Sequence, residues 1–174
     1  VNVTNLLAVN PDDDMFDFTQ GYSGTLKNCY GVWESGYTST EADPRGIEAD
    51  GNLDGIYPDH LRQSDFTVEN MTIVNNAANT TDNVDRMQDV IKIRRGAKAT
   101  IINALVKGTV GTIDLIDMND SKGAGNPASS ISITNTLQYK TKLNGTLNTF
   151  TEPATNTGAD ASLFTWTGYN FSSL

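Results

Sequence analysis

The sequence predicts an all-β fold, a single-stranded, right-handed parallel β-helix that ends in an aromatic cap segment. Helical periodicity is nearly absent, and short runs rich in Val, Ile, Leu and Phe alternate with stretches of Gly, Asn, Asp, Ser and Thr. Two kinds of strand-like run alternate strictly along the chain. A recurring unit of this kind is typical of a solenoid, in which each coil packs only on its neighbours.

The first kind of run places an asparagine among apolar or alternating residues. Its members are Val3–Val9, Leu26–Val32, Val68–Val74, Ile101–Val106 and Ile133–Tyr139. The asparagines in these runs are Asn5, Asn28, Asn70, Asn103 and Asn135. Their spacings are 23, 42, 33 and 32 residues, so the shortest fits one coil and the longest contains an insertion in segment 33–64. Because asparagine tolerates left-handed backbone and can bond an identical residue in the next coil, we expect a structural asparagine ladder.

The second kind of run falls between consecutive members of the first. Its members are Met15–Phe18, Gly46–Ala49, Val90–Ile93 and Thr112–Leu115. Alternation along a strand predicts two apolar columns inside the solenoid. These columns contain Phe16, Ile47, Ile91 and Ile113, and Phe18, Ala49, Ile93 and Leu115. The residues between them predict an outward ladder of Asp17, Glu48, Lys92 and Asp114, in which Lys92 lies between Glu48 and Asp114.

A β-sandwich is the alternative architecture, because it also consists of short strands separated by turns. Its hairpins would need tight turns between paired strands. The sequence contains Asp50-Gly51, Asp54-Gly55 and Asn144-Gly145, but these turns do not fall regularly between the alternating runs. The pattern therefore favours the β-helix.

The chain divides into predicted coils at 1–149 and a tail at 150–174. Because the chain opens directly on a strand-like run, we expect the coils to be the C-terminal part of a longer solenoid, with further N-terminal coils of the same precursor as partners. The tail is rich in aromatic residues, and a solenoid end exposes open strand edges and core. The tail is thus predicted to cap that end, and a docking or carbohydrate-stacking surface is the alternative.

Composition narrows the function classes. The formal net charge is -9 and the pI is near 4.4, which argues against a nucleic-acid surface because phosphates are met by clustered Lys and Arg. A single cysteine, Cys29, excludes an internal disulfide, and a single histidine removes most zinc sites and His-based triads. No apolar run approaches 18 residues, so no membrane-spanning helix is expected.

The acidic turn Asp12-Asp13-Asp14 is a candidate Ca²⁺ site, since carboxylate oxygens are the ligands that Ca²⁺ prefers. Short acidic turns also commonly bond their own backbone. The turn matches neither the spacing of an EF-hand loop nor that of the glycine-rich repeats of calcium-binding β-rolls. No other cofactor is indicated.

The outward ladder supplies the candidate catalytic residues, Asp17, Glu48, Lys92 and Asp114. Two carboxylates about 5 to 10 Å apart suit acid and base roles in glycosidic cleavage. Stacked polar positions of any solenoid give such distances, so an exposed surface without catalysis is the competing interpretation.

The inserted segment 33–64 supplies the candidate ligand-binding residues, because loops on a rigid scaffold commonly carry binding residues. They are Trp33, Tyr37, Arg45, Tyr57 and His60. Arg45 could pair with the carboxylate of an acidic sugar. The competing interpretation is that the aromatic residues fold the insertion back onto the solenoid.

Two stretches resemble a family of secreted or surface-exposed right-handed parallel β-helix proteins found in Bacteroidetes and other Gram-negative bacteria. They are Asn10–Tyr22, which combines a "DD" turn, an aromatic strand and "QG", and Asp43–Asp50, which contains "RGIEAD". The resemblance covers about residues 1–120. It implies the fold, further coils upstream, and an extracellular or outer-membrane location, often as a lipoprotein, but it implies no particular activity.

Two functions remain open from the sequence. The leading hypothesis is a non-catalytic, cell-surface or secreted β-helix domain that binds glycans or protein partners. The alternative is a polysaccharide lyase or glycoside hydrolase that acts on an acidic glycan. This alternative rests on the fold alone, and a fold hosts many functions.

Overall fold

The described residues form eleven strands and two short 3₁₀ helices. The computed structural model describes residues 1–19, 21–52, 62–78 and 87–174. The strands are β1 (Val3–Val9), β2 (Phe16–Phe18), β3 (Ser23–Trp33), β4 (Ile47–Asp50), β5 (Asp65–Asn75), β6 (Asp89–Arg94), β7 (Lys98–Gly108), β8 (Thr112–Asp117), β9 (Ser130–Asn135), β10 (Tyr139–Asn144) and β11 (Thr149–Thr151). The 3₁₀ helices span Ala161–Thr167 and Phe171–Ser173.

The strands belong to two parallel sheets. The long sheet has the order β1-β3-β5-β7-β9-β11, and the short sheet has the order β2-β4-β6-β8-β10. All nine described strand pairings are parallel. The chain therefore returns to the same sheet with every second strand. This confirms the predicted all-β fold with parallel strands, and it does not fit a β-sandwich, whose hairpins give antiparallel pairs.

The apolar core lies between the two sheets. Phe16 pairs with Ile47 and Ile47 with Ile91, so the first predicted column is confirmed for three coils. All three side chains are at most 4% exposed. Apolar burial of this kind is the main stabilising term of a fold that has no disulfide.

The fourth member of this column is Ile116, and the predicted Ile113 is wrong. Ile91 pairs with Ile116, which is fully buried, whereas Ile113 is only partly buried. The prediction was three residues out of register because Ile113 and Ile116 are each followed by an aspartate. A strand with two apolar-acidic pairs offers two registers, and the pairs alone do not distinguish them.

Left-handed asparagines bend the strands of the long sheet. The φ angles are 57°, 56°, 56° and 55° at Asn5, Asn28, Asn70 and Asn103. The Nδ2 of Asn28 donates to Oδ1 of Asn5 at 2.9 Å, and the Nδ2 of Asn103 donates to Oδ1 of Asn70 at 2.8 Å. These bonds confirm the structural role predicted for the four asparagines, since few other residues adopt this conformation without strain.

Asn135 does not join this ladder, which corrects the fifth predicted member. It pairs with Val106, three residues beyond Asn103, and its side chain bonds the backbone of Leu137. The register between β7 and β9 shifts at the bend, so the segment Ile131–Ile133 has one residue fewer than its partner. Without that residue, the last coil has no position for a left-handed asparagine.

Residues 152–174, which we call the strap, run back across the long sheet. Backbone N–H groups of the strap donate to Oδ1 of Asn103, Oγ1 of Thr72 and Oδ1 of Asn28, at 2.8, 2.9 and 2.6 Å. These acceptors belong to β7, β5 and β3, so the strap crosses one coil after another toward β1. Residues 152–174 thus cover a side of the solenoid, Phe150 before them packs on the main core from the last strand, and capping of the end by the tail stays a prediction.

Phe164 anchors the strap by burying its ring against the outer side of the long sheet. Its side chain is fully buried and packs with Tyr30, Val32 and Val74. Farther along the strap, the hydroxyl of Tyr169 donates to Glu34 at 2.8 Å. The cluster around Phe164 is a small second core outside the solenoid, and it explains why the tail is rich in aromatic residues.

We expect Phe164→Ala to lower the free energy of unfolding by about 3 kcal/mol, or roughly 10 °C in melting temperature, because it empties this second core. Chemical denaturation followed by circular dichroism measures the change. The matched control is Trp166→Ala in the same helix, where the ring is 72% exposed and the loss should stay within about 0.5 kcal/mol. Equal losses in the two variants would contradict the anchoring role.

Candidate functional site

Three columns of mostly charged residues follow the strands of the short sheet, outside the apolar core. We call this surface the charged face. Its residues are Asp14, Arg45, Asp89 and Asp114 in the first column, Asp17, Glu48, Lys92 and Asp117 in the second, and Thr19, Asp50, Arg94 and Asn119 in the third. They lie two positions before, one after and three after the buried column of Phe16, Ile47, Ile91 and Ile116. Stacking the coils therefore brings them together.

The columns place Asp117 beside Lys92, where the sequence predicts Asp114. Asp114 instead lies beside Asp89 in the neighbouring column. This correction follows from the same three-residue register error as Ile113. Lys92 keeps an acidic residue on each side, because Glu48 precedes it in the column as predicted.

Arg45 is the hub of the first column. Its guanidinium donates to Asp89 at 3.0 Å, to Asp43 at 2.8 Å and to Glu48. The side chain is only 7% exposed. A buried cation is tolerated when its charge is matched and its N–H groups are bonded, and Arg45 meets both conditions.

Arg94 and Arg95 form a second group of ion pairs at the end of β6. Arg94 binds Glu48 at 2.7 Å and Asp50 at 2.5 Å, and Arg95 binds Asp50 at 3.1 Å and Asp120 at 3.3 Å. Their side chains are 13% and 19% exposed. Adjacent coils are thus joined through shared carboxylates, and neither arginine is free to meet a ligand.

Asp89, Asp114 and Asp117 are the carboxylates that could share a metal ion, as far as the described ranges reach. Their oxygen atoms lie within 4.8 Å of one another, and all three residues are buried. Asp117 already contacts the ammonium of Lys92, Asp89 accepts from Arg45, and Asp114 accepts from an asparagine amide. A divalent ion would have to displace these partners, so the arrangement fits internal charge balance better than metal binding.

The predicted Ca²⁺ ligands separate into three environments. Asp12 accepts from the backbone N–H of Thr40 at 2.8 Å and from its hydroxyl at 2.6 Å, which lowers the pKa of Asp12. Asp13 is exposed, and Asp14 is partly buried. Asp12 is thus bonded to Thr40, 28 residues away, and not to the backbone of its own turn, and calcium binding here stays a prediction.

Burial raises the pKa of two carboxyl groups on the charged face. The pKa of Asp14 rises to about 8 through burial, with repulsion from Glu48 adding to the effect. The pKa of Asp89 rises to about 6 through burial, against the attraction of Lys92. Oδ1 of Asp14 is also buried and has no hydrogen-bond partner among the described residues. Asp14 therefore holds its proton near neutral pH.

Three of the predicted catalytic residues, Asp17, Glu48 and Lys92, do lie in one column. Glu48 and Lys92 are held in ion pairs, and Asp17 is exposed. Burial raises the pKa of both Asp17 and Glu48. The column brings carboxylates together, but Lys92, the cation between them, is already paired with Asp117.

The predicted ligand-binding residues are largely used for packing. Trp33 is fully buried, and its indole donates to the carbonyl of Pro11 at 2.9 Å. The hydroxyl of Tyr37 donates to the same carbonyl at 2.8 Å. These contacts fold the start of the insertion onto the solenoid, and Arg45 is buried as described above. Tyr57 and His60 lie outside the described residues.

A six-residue repeat was the missed signal for the remaining members of the charged face. DVIKIR at Asp89–Arg94 aligns with DLIDMN at Asp114–Asn119, and this alignment reproduces the observed register. It would have placed Asp89 and Asp117 correctly. Asp120 had no such signal, because its contact depends on the path of the loop after β8.

The family of pectate-lyase-like β-helix domains matches residues 1–169. The chain belongs to this family. Comparison with curated proteins and with solved structures gave no match. The family is broad and includes both lyases and binding proteins, so membership supports the β-helix and leaves the activity open. Within the described chain, neither helix has the length and apolar character that a membrane crossing needs.

We expect Asp14→Asn to remove a pH-dependent cost. The pKa in the folded state lies above the ordinary 3.8, so the folded protein holds the proton between about pH 4 and pH 8, and stability falls as the pH rises through that window. The variant should gain about 1 to 2 kcal/mol at pH 8, after allowance for solvent screening, and almost nothing at pH 4. Urea denaturation at both pH values measures this, with exposed Asp13→Asn as control. An equal gain at both values would contradict it.

Replacing Arg45 by Met should destabilise the protein by about 3 kcal/mol, because it leaves the carboxylate of Asp89 buried without the guanidinium that it pairs with, whereas Glu48 keeps Arg94. Thermal and urea denaturation report the loss. The matched control is Lys27→Met, which removes a pair with Glu69 whose side chains are 55% and 35% exposed, and which should change stability by less than about 0.5 kcal/mol. A loss below 1 kcal/mol at Arg45 would show that the network is not stabilising.

Proposed function

We propose that this chain is a non-catalytic β-helix domain that binds glycans or protein partners at a cell surface or after secretion. The proposal rests on the observation that the cations on the charged face, and Arg95 beside it, are already paired with carboxylates. Arg45, Lys92, Arg94 and Arg95 are all held in ion pairs and are less than one fifth exposed. A catalytic base or electrophile must reach the substrate, whereas these cations face neighbouring carboxylates. The ion pairs of the charged face therefore hold the stacked coils rigidly together.

The finer description of the fold belongs to the same proposal. We take the chain to wind as a single-stranded, right-handed solenoid, because crossovers between parallel strands of one sheet are right-handed in about 98% of cases. An extracellular or outer-membrane location, as in the lipoproteins of Bacteroidetes that the sequence resembles, fits the acidic net charge of the chain.

A further coil of the same precursor is the partner that we propose for the β1 and β2 end. A cavity of about 390 Å³ opens there, lined chiefly by apolar side chains such as Leu6, Phe16 and Phe18. Leu6 and Val9 on the edge strand are each 38% exposed. At the opposite end of the short sheet, the edge strand β10 carries two lysines, which discourage strand addition. The asymmetry supports stacking at the β1 end.

One observation favours cleavage of an acidic glycan as a second candidate function. Asp14 has a pKa near 8 and interacts electrostatically with Glu48, Asp17 and Arg45. A protonated carboxyl beside an ionised one is the arrangement that glycosidases use. In this candidate Asp14 is the acid and Asp17 is the exposed base, with Ca²⁺ as a proposed cofactor.

Glycan-array binding followed by turnover assays on each hit separates the two candidates. The assays measure new reducing ends and the absorbance of unsaturated uronate, with and without Ca²⁺. We expect saturable binding of at least one glycan and no product. The matched variant Asp17→Asn should bind as well as the parent chain. Product that disappears in Asp17→Asn would replace the binding proposal with the enzymatic one, and absence of any glycan or protein ligand would refute the binding proposal.

A further inference from the structure

A polar groove lies at the corner where the chain enters the long sheet, next to the end of the charged face, where the hydroxyl of Ser64 donates to the backbone carbonyl of Asp50. Its volume is about 420 Å³, which is within the usual range for small-ligand sites. The groove is lined by Ser23, Arg62, Gln63, Ser64, Asp65, Gly96, Lys98 and Asn126. Three of these residues, Ser23, Asp65 and Lys98, begin β3, β5 and β7 and lie in register. The floor of the groove is therefore built by the stacked coils.

Arg62 differs from the other arginines that the structure describes. Arg45, Arg94 and Arg95 each bind two or three carboxylates. Arg62 is exposed and has no carboxylate partner within the described ranges. In a chain with a net charge of -9, an arginine at the wall of a groove that has no acidic partner among the described residues is unusual. Its planar, five-donor guanidinium is suited to bidentate binding of an oxyanion.

The other groove residues add donors more than acceptors. Lys98 pairs with Asp65 at 3.2 Å, but the two side chains are 34% and 60% exposed, so this pair is weak and readily exchanged. The amide oxygens of Gln63 and Asn126 accept from backbone N–H groups of Asn52 and Ala128. Each amide NH₂ group is therefore the part that remains to donate. Among the described residues that line the groove, Asp65 is the one carboxylate.

We propose that this groove binds a compact oxyanion, a carboxylate or a sulfate or phosphate group, carried by the partner molecule. Arg62 supplies the bidentate contact, Lys98 adds the second positive charge, and the amide groups of Gln63 and Asn126 complete the set of donors. The groove has room for one or two sugar units around that group. The inference rests on the proposed function only in taking the carrier to be a glycan.

The test is titration of the ¹⁵N-labelled chain with sodium glucuronate, sodium sulfate and, as the neutral probe, glucose. We expect saturable shifts of the backbone amides of Ser64, Gly96 and Asn126 with the two anions and none with glucose. The more tightly bound anion identifies the source of the oxyanion. Arg62→Gln should weaken binding about tenfold or more, and Lys98→Gln should weaken it less. The matched control Lys140→Gln removes one exposed charge on β10 and should leave the affinity unchanged.

Failure of this inference is distinguishable from failure of the proposed function. Non-saturating shifts, equal shifts with glucose, or unchanged affinity in Arg62→Gln would each overturn the oxyanion site. Arg62 is exposed, so the folded state of its variant can be confirmed from the same spectra. If the parent chain and Arg62→Gln bind the same array glycans equally, the glycan-binding proposal stands and the groove is not its site.

Discussion

The stacking distance between coils is the constraint on which the rest of the structure depends. Equivalent residues of neighbouring coils lie about 4.8 Å apart along the strand-pairing direction, so every side chain touches its own counterpart above and below. Apolar columns such as Phe16, Ile47 and Ile91 gain burial from this repetition. Asparagines gain a hydrogen-bonding partner of their own kind. Charged residues are different, because repetition of one sign would bring like charges into contact.

Acidic neighbours do occur on the charged face, where Asp17 stacks on Glu48 and Asp89 on Asp114, and cations in the same columns offset their repulsion. Lys92 lies between Glu48 and Asp117, and Arg94 lies beside Asp50. Each cation in a column is therefore neutralised by a carboxylate and held in that ion pair. A basic residue at such a position is not free to act as a catalytic base. Arg62 lies outside the paired strands, in the segment between β4 and β5, and the described strand pairings give it no stacked counterpart. This difference explains why the stacked arginines stabilise the fold while the loop arginine is left available.

Features set by the preference of a single residue could be predicted from the sequence, whereas features set by the stacking of coils or by loop paths could not. The left-handed asparagines were predictable because an unusual backbone conformation restricts the residue type, and four of the five were placed correctly. Ile113 and Asp114 were misplaced because β8 contains two similar apolar-acidic pairs, and only the longer repeat shared by Asp89–Arg94 and Asp114–Asn119 selects the observed one. The prediction for Asn135 was wrong for a related reason. The bend in β9 has one residue fewer than its partner, and nothing in the local sequence indicates this. The ion pairs of Asp120 depend on a loop path that no periodicity encodes.

The strap shows how a solenoid can gain long-range order. Interactions in a repeat protein connect nearest neighbours, so distant coils are only weakly coupled. The asparagine bonds follow this rule, because they join Asn5 with Asn28 and Asn70 with Asn103. The strap bonds the ladder in both pairs, through Asn28 and Asn103, and then reaches Glu34 beyond β3. Opening any one coil therefore disturbs a segment that is also bound to the others, and this shared segment makes the coils behave as one cooperative unit.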